Sequence, residues 1–307
     1  MKVAPLPWRQ LVWITLGALA IFAALRLLPT GTNLNHMDFR VTAKNSIDFC
    51  DPLNPQFIPV VAAASPVTMT LQNTGAEPAP GTEARFTLTL KTASGKPVAA
   101  EDLLVAHTRK LHLLIVDPWM DDYQHVHPEP GRTRGEWTFA FTPKREGRYR
   151  VFSDFTPAAT GRGLYAFADV PVGRAGLPAG FTMVMQHDDA WVADLDGYHF
   201  ALTPAAIPIR ERLPADLKLT ITRVGGGAVP LEPVMGAFAH LVAFDEARSG
   251  FAHLHPMEAD LLKRPDAAQP ALNFKLTIPR AGRYVIWAQV NLGGREVFAP
   301  FWFEVEP

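Results

Sequence analysis

The chain has 307 residues with 48% hydrophobic and 19% charged residues, enough apolar matter for about two packed domains and too much for a disordered chain. Its formal net charge is −1 with no basic tract, which argues against nucleic acid as a partner. One cysteine, Cys50, excludes an intrachain disulfide.

The amino terminus reads as a membrane anchor, residues 1–29. Lys2 and Arg9 precede an apolar run from Leu11 to Leu28, interrupted by Thr15 and Arg26. At about 1.5 Å per residue it is about 27 Å long, close to the hydrocarbon thickness of a bilayer. Trp8, Trp13 and Arg26 suit the headgroup levels. Pro29, Gly31 and Asn33 end the helix, and no small-residue cleavage site follows it, so the expectation is an uncleaved helix. The basic residues ahead of it favour a cytoplasmic amino terminus, a single pass through the inner membrane and a bulk in the periplasm.

Residues 30–65 read as an extended, proline-punctuated tether, with Cys50 as a packed thiol and apolar positions that lie along a domain surface. From 66 onward the pattern is β. Short stretches rich in β-branched and aromatic residues, such as VTMTLQN, ARFTLTLKT and RYRVFSDF, alternate with Gly/Pro turns. The expected fold is all-β: two tandem antiparallel β-sandwiches, Ig-like or cupredoxin-like, over 66–173 and 181–307, joined by a linker at 174–180. Met183, Met185 and His187 start a strand in this reading, and Asp121 and Asp122 form a solvated turn.

The duplication rests on a passage that occurs twice. With a constant offset of 128, His112, Asp117, His125, His127 and Pro128 fall on His240, Asp245, His253, His255 and Pro256, and Tyr123 falls on Phe251. A second landmark pairs Gly147 and Tyr149 with Gly282 and Tyr284 at an offset of 135, in the manner of a tyrosine corner. Each copy therefore carries a His-(x12)-His-x-His-Pro pattern. Residues two apart on a strand share a face, and a hairpin returns the pair to the preceding histidine. Three imidazoles on one ion make a zinc or copper site. The candidate ligands are His112, His125 and His127 in one copy and His240, His253 and His255 in the other. Hydrogen-bonded core histidines, copied by duplication, are the competing explanation. His107 aligns with Met235, both copper-binding types. Asp154 aligns with Gln289, so a carboxylate is expected to assist the first copy alone, which makes it the better site.

No G-x-S-x-G elbow, P-loop or His-Glu-x-x-His is present, and the glutamate spacing of a metal-binding cupin is missing, so no enzyme is expected. With a His on one strand and an HxHP or HLHP turn, residues 70–173 and 181–307 resemble bacterial extracytoplasmic Ig-like domains of the YtkA-like or copper-handling kind. The resemblance implies a sandwich, metal binding and no catalytic activity. Two functions fit. One is a non-catalytic accessory subunit of a respiratory or photosynthetic membrane complex, with integral membrane subunits and the bilayer as partners. The other is a periplasmic protein that sequesters or delivers copper or zinc.

Overall fold

The computed structural model describes residues 7–27, 34–40, 55–173 and 188–307. Cys50, the expected 174–180 linker, Met183, Met185 and His187 lie outside them. Two compact units result, one up to Asn33 and one from Leu34. The first contains a helix, Trp8–Leu27, whose apolar side chains are exposed from Trp8 to Leu25. It is long and apolar enough to cross a membrane, as an anchor or a signal sequence would be.

The second unit is all β. Its first half holds strands β1 (Val67–Asn73), β2 (Ala84–Thr92), β3 (Leu111–Val116), β4 (Tyr123–Val126), β5 (Glu129–Pro130), β6 (Glu136–Phe141), β7 (Gly147–Phe155) and β8 (Leu164–Val172). Its second half holds β9 (Val192–Leu195), β10 (Tyr198–Pro204), β11 (Ile209–Arg210), β12 (Pro214–Arg223), β13 (Leu231–Glu232), β14 (His240–Asp245), β15 (Phe251–Leu254), β16 (Ala271–Thr277), β17 (Gly282–Leu292) and β18 (Arg295–Glu306). Sheets β1-β2-β6-β5 and β4-β3-β7-β8 form one sandwich; sheets β9-β10-β12-β16 and β15-β14-β17-β18-β11 form the other. The order β4-β3-β7-β8 recurs as β15-β14-β17-β18, and β1-β2-β6 recurs as β10-β12-β16, so the duplication read from the histidines extends to the topology.

Each sandwich closes on its own apolar core. Phe86, Leu88, Trp137 and Tyr149 fill the first, and Phe200, Leu219, Phe274 and Phe301 fill the second. A third apolar layer joins them. Strands β3 and β14 are buried almost throughout, not alternately. Leu111, Leu113 and Ile115 face the first core, while Leu114 and Val116 belong to the third layer with Phe152, Tyr123, Val242, Phe244, Phe251 and Trp287. The Phe152 ring lies 5.4 Å from that of Phe251 and 6.0 Å from that of Phe244. The two sandwiches are thus packed sheet against sheet.

Of the expected tether, residues 34–40 and 55–65 are among the described ones. Leu34 and Phe39 enter the first core. Residues 55–61 form a strap on the second sandwich: Ile58 exchanges two backbone hydrogen bonds with Phe251, and Val61 donates to the Ser249 carbonyl. Ile58 and Val60 join the third layer. A Cβ at Gly250 would meet the Ile58 carbonyl oxygen at 1.8 Å, so the strap seats only because residue 250 has no side chain.

Burial of a large aromatic outweighs any rim ion pair at this junction, because exposed pairs contribute about 1 kcal/mol or less. Phe152→Ala is expected to destabilise the protein by about 3–5 kcal/mol in urea unfolding, as for other buried phenylalanines. A loss below about 1 kcal/mol would show that the sheets do not pack in solution.

Candidate metal centre

The sheet pleat that builds the third layer also carries the histidines. On β3 the inward face toward the other domain reads His112, Leu114, Val116; on β7 it reads Arg150, Phe152, Asp154; on β17 it reads Val285, Trp287, Gln289. Period-two alternation thus places polar side chains at one end of an otherwise apolar junction. The hairpins β3–β4 and β14–β15 return His125 and His253 to the same end.

Asp117 and Asp245, the repeated acids, organise those hairpins. Asp117 Oδ1 accepts from the backbone N–H groups of Asp121 and Asp122, and Asp245 accepts from the N–H and hydroxyl of Ser249. Asp122 is not the solvated acid expected from its sequence. It is fully buried and accepts from the Tyr149 hydroxyl (2.7 Å) and the Lys144 N–H (2.8 Å). Tyr284 makes the backbone bond of a tyrosine corner, to the Arg280 carbonyl (3.0 Å).

All six candidate ligands come together. One nitrogen each of His112, His125 and His127 lies within 4.8 Å of the others, and so do those of His240, His253 and His255. Counting protons defines the arrangement. His112 donates Nε2–H to the Ala106 carbonyl (3.0 Å), and His125 donates Nδ1–H to Gln289 Oε1 (2.8 Å). Gln289 is held in that orientation because its Nε2 donates to Glu296 Oε2 (2.6 Å). A neutral imidazole has one proton, so His112 Nδ1 and His125 Nε2 face each other across 3.1 Å as two lone pairs. His127 Nε2 is buried beside them without a hydrogen-bond partner among the described residues.

The second copy repeats this. His240 donates to the Val234 carbonyl (3.0 Å) and His253 to Asp154 Oδ2 (3.1 Å), leaving His240 Nδ1 and His253 Nε2 opposed at 3.2 Å and His255 Nε2 buried and unpartnered among the described residues. A proton on Asp154, whose carboxyl is pushed up by burial, would relieve the second pair by reversing the His253 tautomer. Gln289 has no such proton to give. Each orphaned buried nitrogen costs about 1–3 kcal/mol, so the core-histidine explanation leaves both triads unsatisfied. Burial, reinforced by neighbouring histidines, keeps the rings in the neutral ligand form: His125 and His253 are pushed well down, His127 to about 4 and His240 to about 3.

Two features depart from the sequence reading. Asp154 serves the second triad, not its own, and Gln289 of the second domain serves the first. The partners cross because the sheets face each other, so the strand beside each histidine pair belongs partly to the other domain. The seventh histidine, His107, is exposed and stacks on His255 of the second copy at 3.6 Å. It sits in a two-residue turn closed by Ala106 and Arg109, with φ of 48° at His107 and 69° at Thr108. Met235 and Gly236 occupy the matching turn, with φ of 49° and 79°. The crossing was foreshadowed by the unbroken apolar runs LHLLIV and HLVAF, which a strand covered on one face does not need.

The fold and site define a class: paired Ig-like β-sandwiches enclosing a histidine chamber. The chain belongs to the family described as Domain of unknown function (DUF8832), whose model matches residues 62–170 and 193–307. No curated protein matches. Among solved structures the chain is similar to the Escherichia coli adhesin FdeC (15% identity, 78% of this chain and 64% of that one, TM-score 0.24). It is also similar to a putative membrane anchored protein from Corynebacterium diphtheriae (9%, 80% and 60%, 0.25) and to a DUF4785 family protein from Legionella pneumophila (7%, 78% and 55%, 0.23). The chain spans less than two thirds of the length of each.

Two measurements test the supports of the site. Burial pushes the Asp117 carboxyl up to about 6. Its folded state therefore holds a proton more tightly than the unfolded chain, and its contribution, full below about pH 4, is lost as pH rises through about 6. Wild type should lose about 2 kcal/mol relative to Asp117→Asn between those pH values, read by urea unfolding at each. Thr108→Gly, which gives the first turn the residue its counterpart already has, should raise stability by about 1 kcal/mol by relieving a left-handed threonine. An unchanged or lowered midpoint would mean the turn is unstrained.

Proposed function

We propose that this protein is a membrane-anchored, non-catalytic metal-binding module of the periplasm that sequesters or delivers copper or zinc. One observation carries the reading. In each domain two imidazole nitrogens face each other with no proton between them, because outer partners have taken the protons, and the buried Nε2 of a third imidazole converges on them. A metal ligand histidine is held in this way, with its other nitrogen donating to a carbonyl, an amide or a carboxylate. His112, His125 and His127 would hold one ion, and His240, His253 and His255 another. Imidazole sets of this kind suit zinc and copper. The bound ion would supply charge to neutralise the converging lone pairs; the chain's residues hold, dehydrate and orient it.

The wider setting we infer is docking on an energy-transducing membrane complex through the helix and the outer sandwich faces. The exposed apolar surface of Trp8–Leu27 supports a lipid or helical neighbour. Co-migration with other subunits in solubilised native membranes is the expected result, and a protein that always runs alone rejects it.

Elemental analysis of the detergent-solubilised protein after copper or zinc loading tests metal binding. Stoichiometric metal is expected in wild type, with part of it lost in His125→Ala/His127→Ala and the rest in a variant that also carries His253→Ala/His255→Ala. Wild type that emerges without stoichiometric metal rejects the reading.

A further inference from the structure

The two triads are not separate compartments. Within the first, ring centroids lie 5.3 Å (His112–His125), 5.0 Å (His112–His127) and 4.9 Å (His125–His127) apart. Within the second they lie 5.4, 4.7 and 4.8 Å apart. Between triads, His125 and His253 are 5.5 Å apart, His112 and His253 5.9 Å, and His125 and His240 6.3 Å. The spacing across the domain boundary is nearly the spacing inside a triad, so both ligand sets line one chamber.

We propose that this chamber is a dinuclear site for two monovalent copper ions, and that each domain orients the other's ligands. The proposal rests on the metal-binding reading above. Its charge argument is direct. Among the described residues the chamber is lined by neutral imidazoles and one carboxylate, Asp154, with Glu296 reaching it through Gln289. Two dications side by side repel four times as strongly as two single charges, and a dehydrated setting screens them poorly. A single acidic group cannot offset two dications. Copper as a monovalent ion accepts imidazole ligands and carries half that charge.

The two positions are unequal. A carboxylate behind a ligand histidine makes it a stronger donor than an amide does. His253 has Asp154 behind it and His125 has Gln289, so the second triad fills first. His107, stacked on His255 and exposed to solvent, is a solvent-facing neighbour of that triad. Asp154 is accordingly a positioning residue: it belongs to the first domain, holds no ion and acts through His253.

The test is an anaerobic copper(I) titration of the full-length protein in detergent against a chromogenic competing chelator. Wild type is expected to take two equivalents in two resolved steps. Asp154→Asn should weaken the first step by about 10–100-fold and leave the second within a few-fold, the range typical of outer-partner substitutions. His255→Ala should remove the first step and His127→Ala the second. Near-ultraviolet circular dichroism of each variant without metal confirms that it is folded, and an unfolded Asp154→Asn is replaced by Asp154→Glu, which should retain the wild-type steps. Zinc(II) alone should reach one equivalent. Two equal steps untouched by Asp154→Asn would overturn the orientation of each domain's ligands by the other; a single equivalent needing both triads, or two equivalents of zinc, would overturn the dinuclear copper(I) assignment; each of these leaves metal binding standing. No uptake of either metal overturns both.

Discussion

The unit from Leu34 onward depends on one packing event, the burial of β3-β4-β7-β8 against β14-β15-β17-β18. A single Ig-like sandwich has one buried face per sheet. Here these two sheets have two, and the second face is shared. Phe152, Phe244, Phe251, Tyr123 and Trp287 exclude water from the junction. The histidines stand at one end of the same strand faces and are dehydrated by the same contact. Without it, His112 and His240 would be ordinary strand histidines near a solvated sheet.

The dehydration makes proton bookkeeping decisive. In water, an imidazole whose two nitrogens lack protein partners is solvated and costs nothing. In this junction the outer nitrogens are committed to the Ala106 and Val234 carbonyls, to Gln289 and to Asp154. The inner nitrogens are left with lone pairs and no donor. Burial simultaneously disfavours the imidazolium that would otherwise resolve the conflict. A largely buried chamber that does not hold a proton comfortably is the basis of the cation-binding proposal.

Duplication and divergence have divided the labour unevenly. The hairpins, their Asp117 and Asp245 supports and the turn backbones at His107 and Met235 are the same in both copies. The outer partners differ, and because they cross the boundary, a change in one domain is felt at the other's triad. Strain follows the same line: Gly236 accommodates a left-handed turn that Thr108 adopts against its preference.

The sequence by itself determined the all-β class, the repeat, the anchor-like helix and the six histidines, because those are properties of local periodicity and of spacing along the chain. It also determined that His125 and His127, or His253 and His255, could share a strand face with their partner across a hairpin. It did not place Asp154 on His253, Gln289 on His125 or His107 on His255, and it read Asp122 as solvated. These contacts join residues about 100 positions or more apart in most cases, across a boundary that no local pattern encodes. Only the tertiary structure decided that two sandwiches meet face to face, since that depends on the summed shape of two sheets. The trace left in the chain was the double-sided apolarity of LHLLIV and HLVAF, a mark of burial that says nothing about what does the burying.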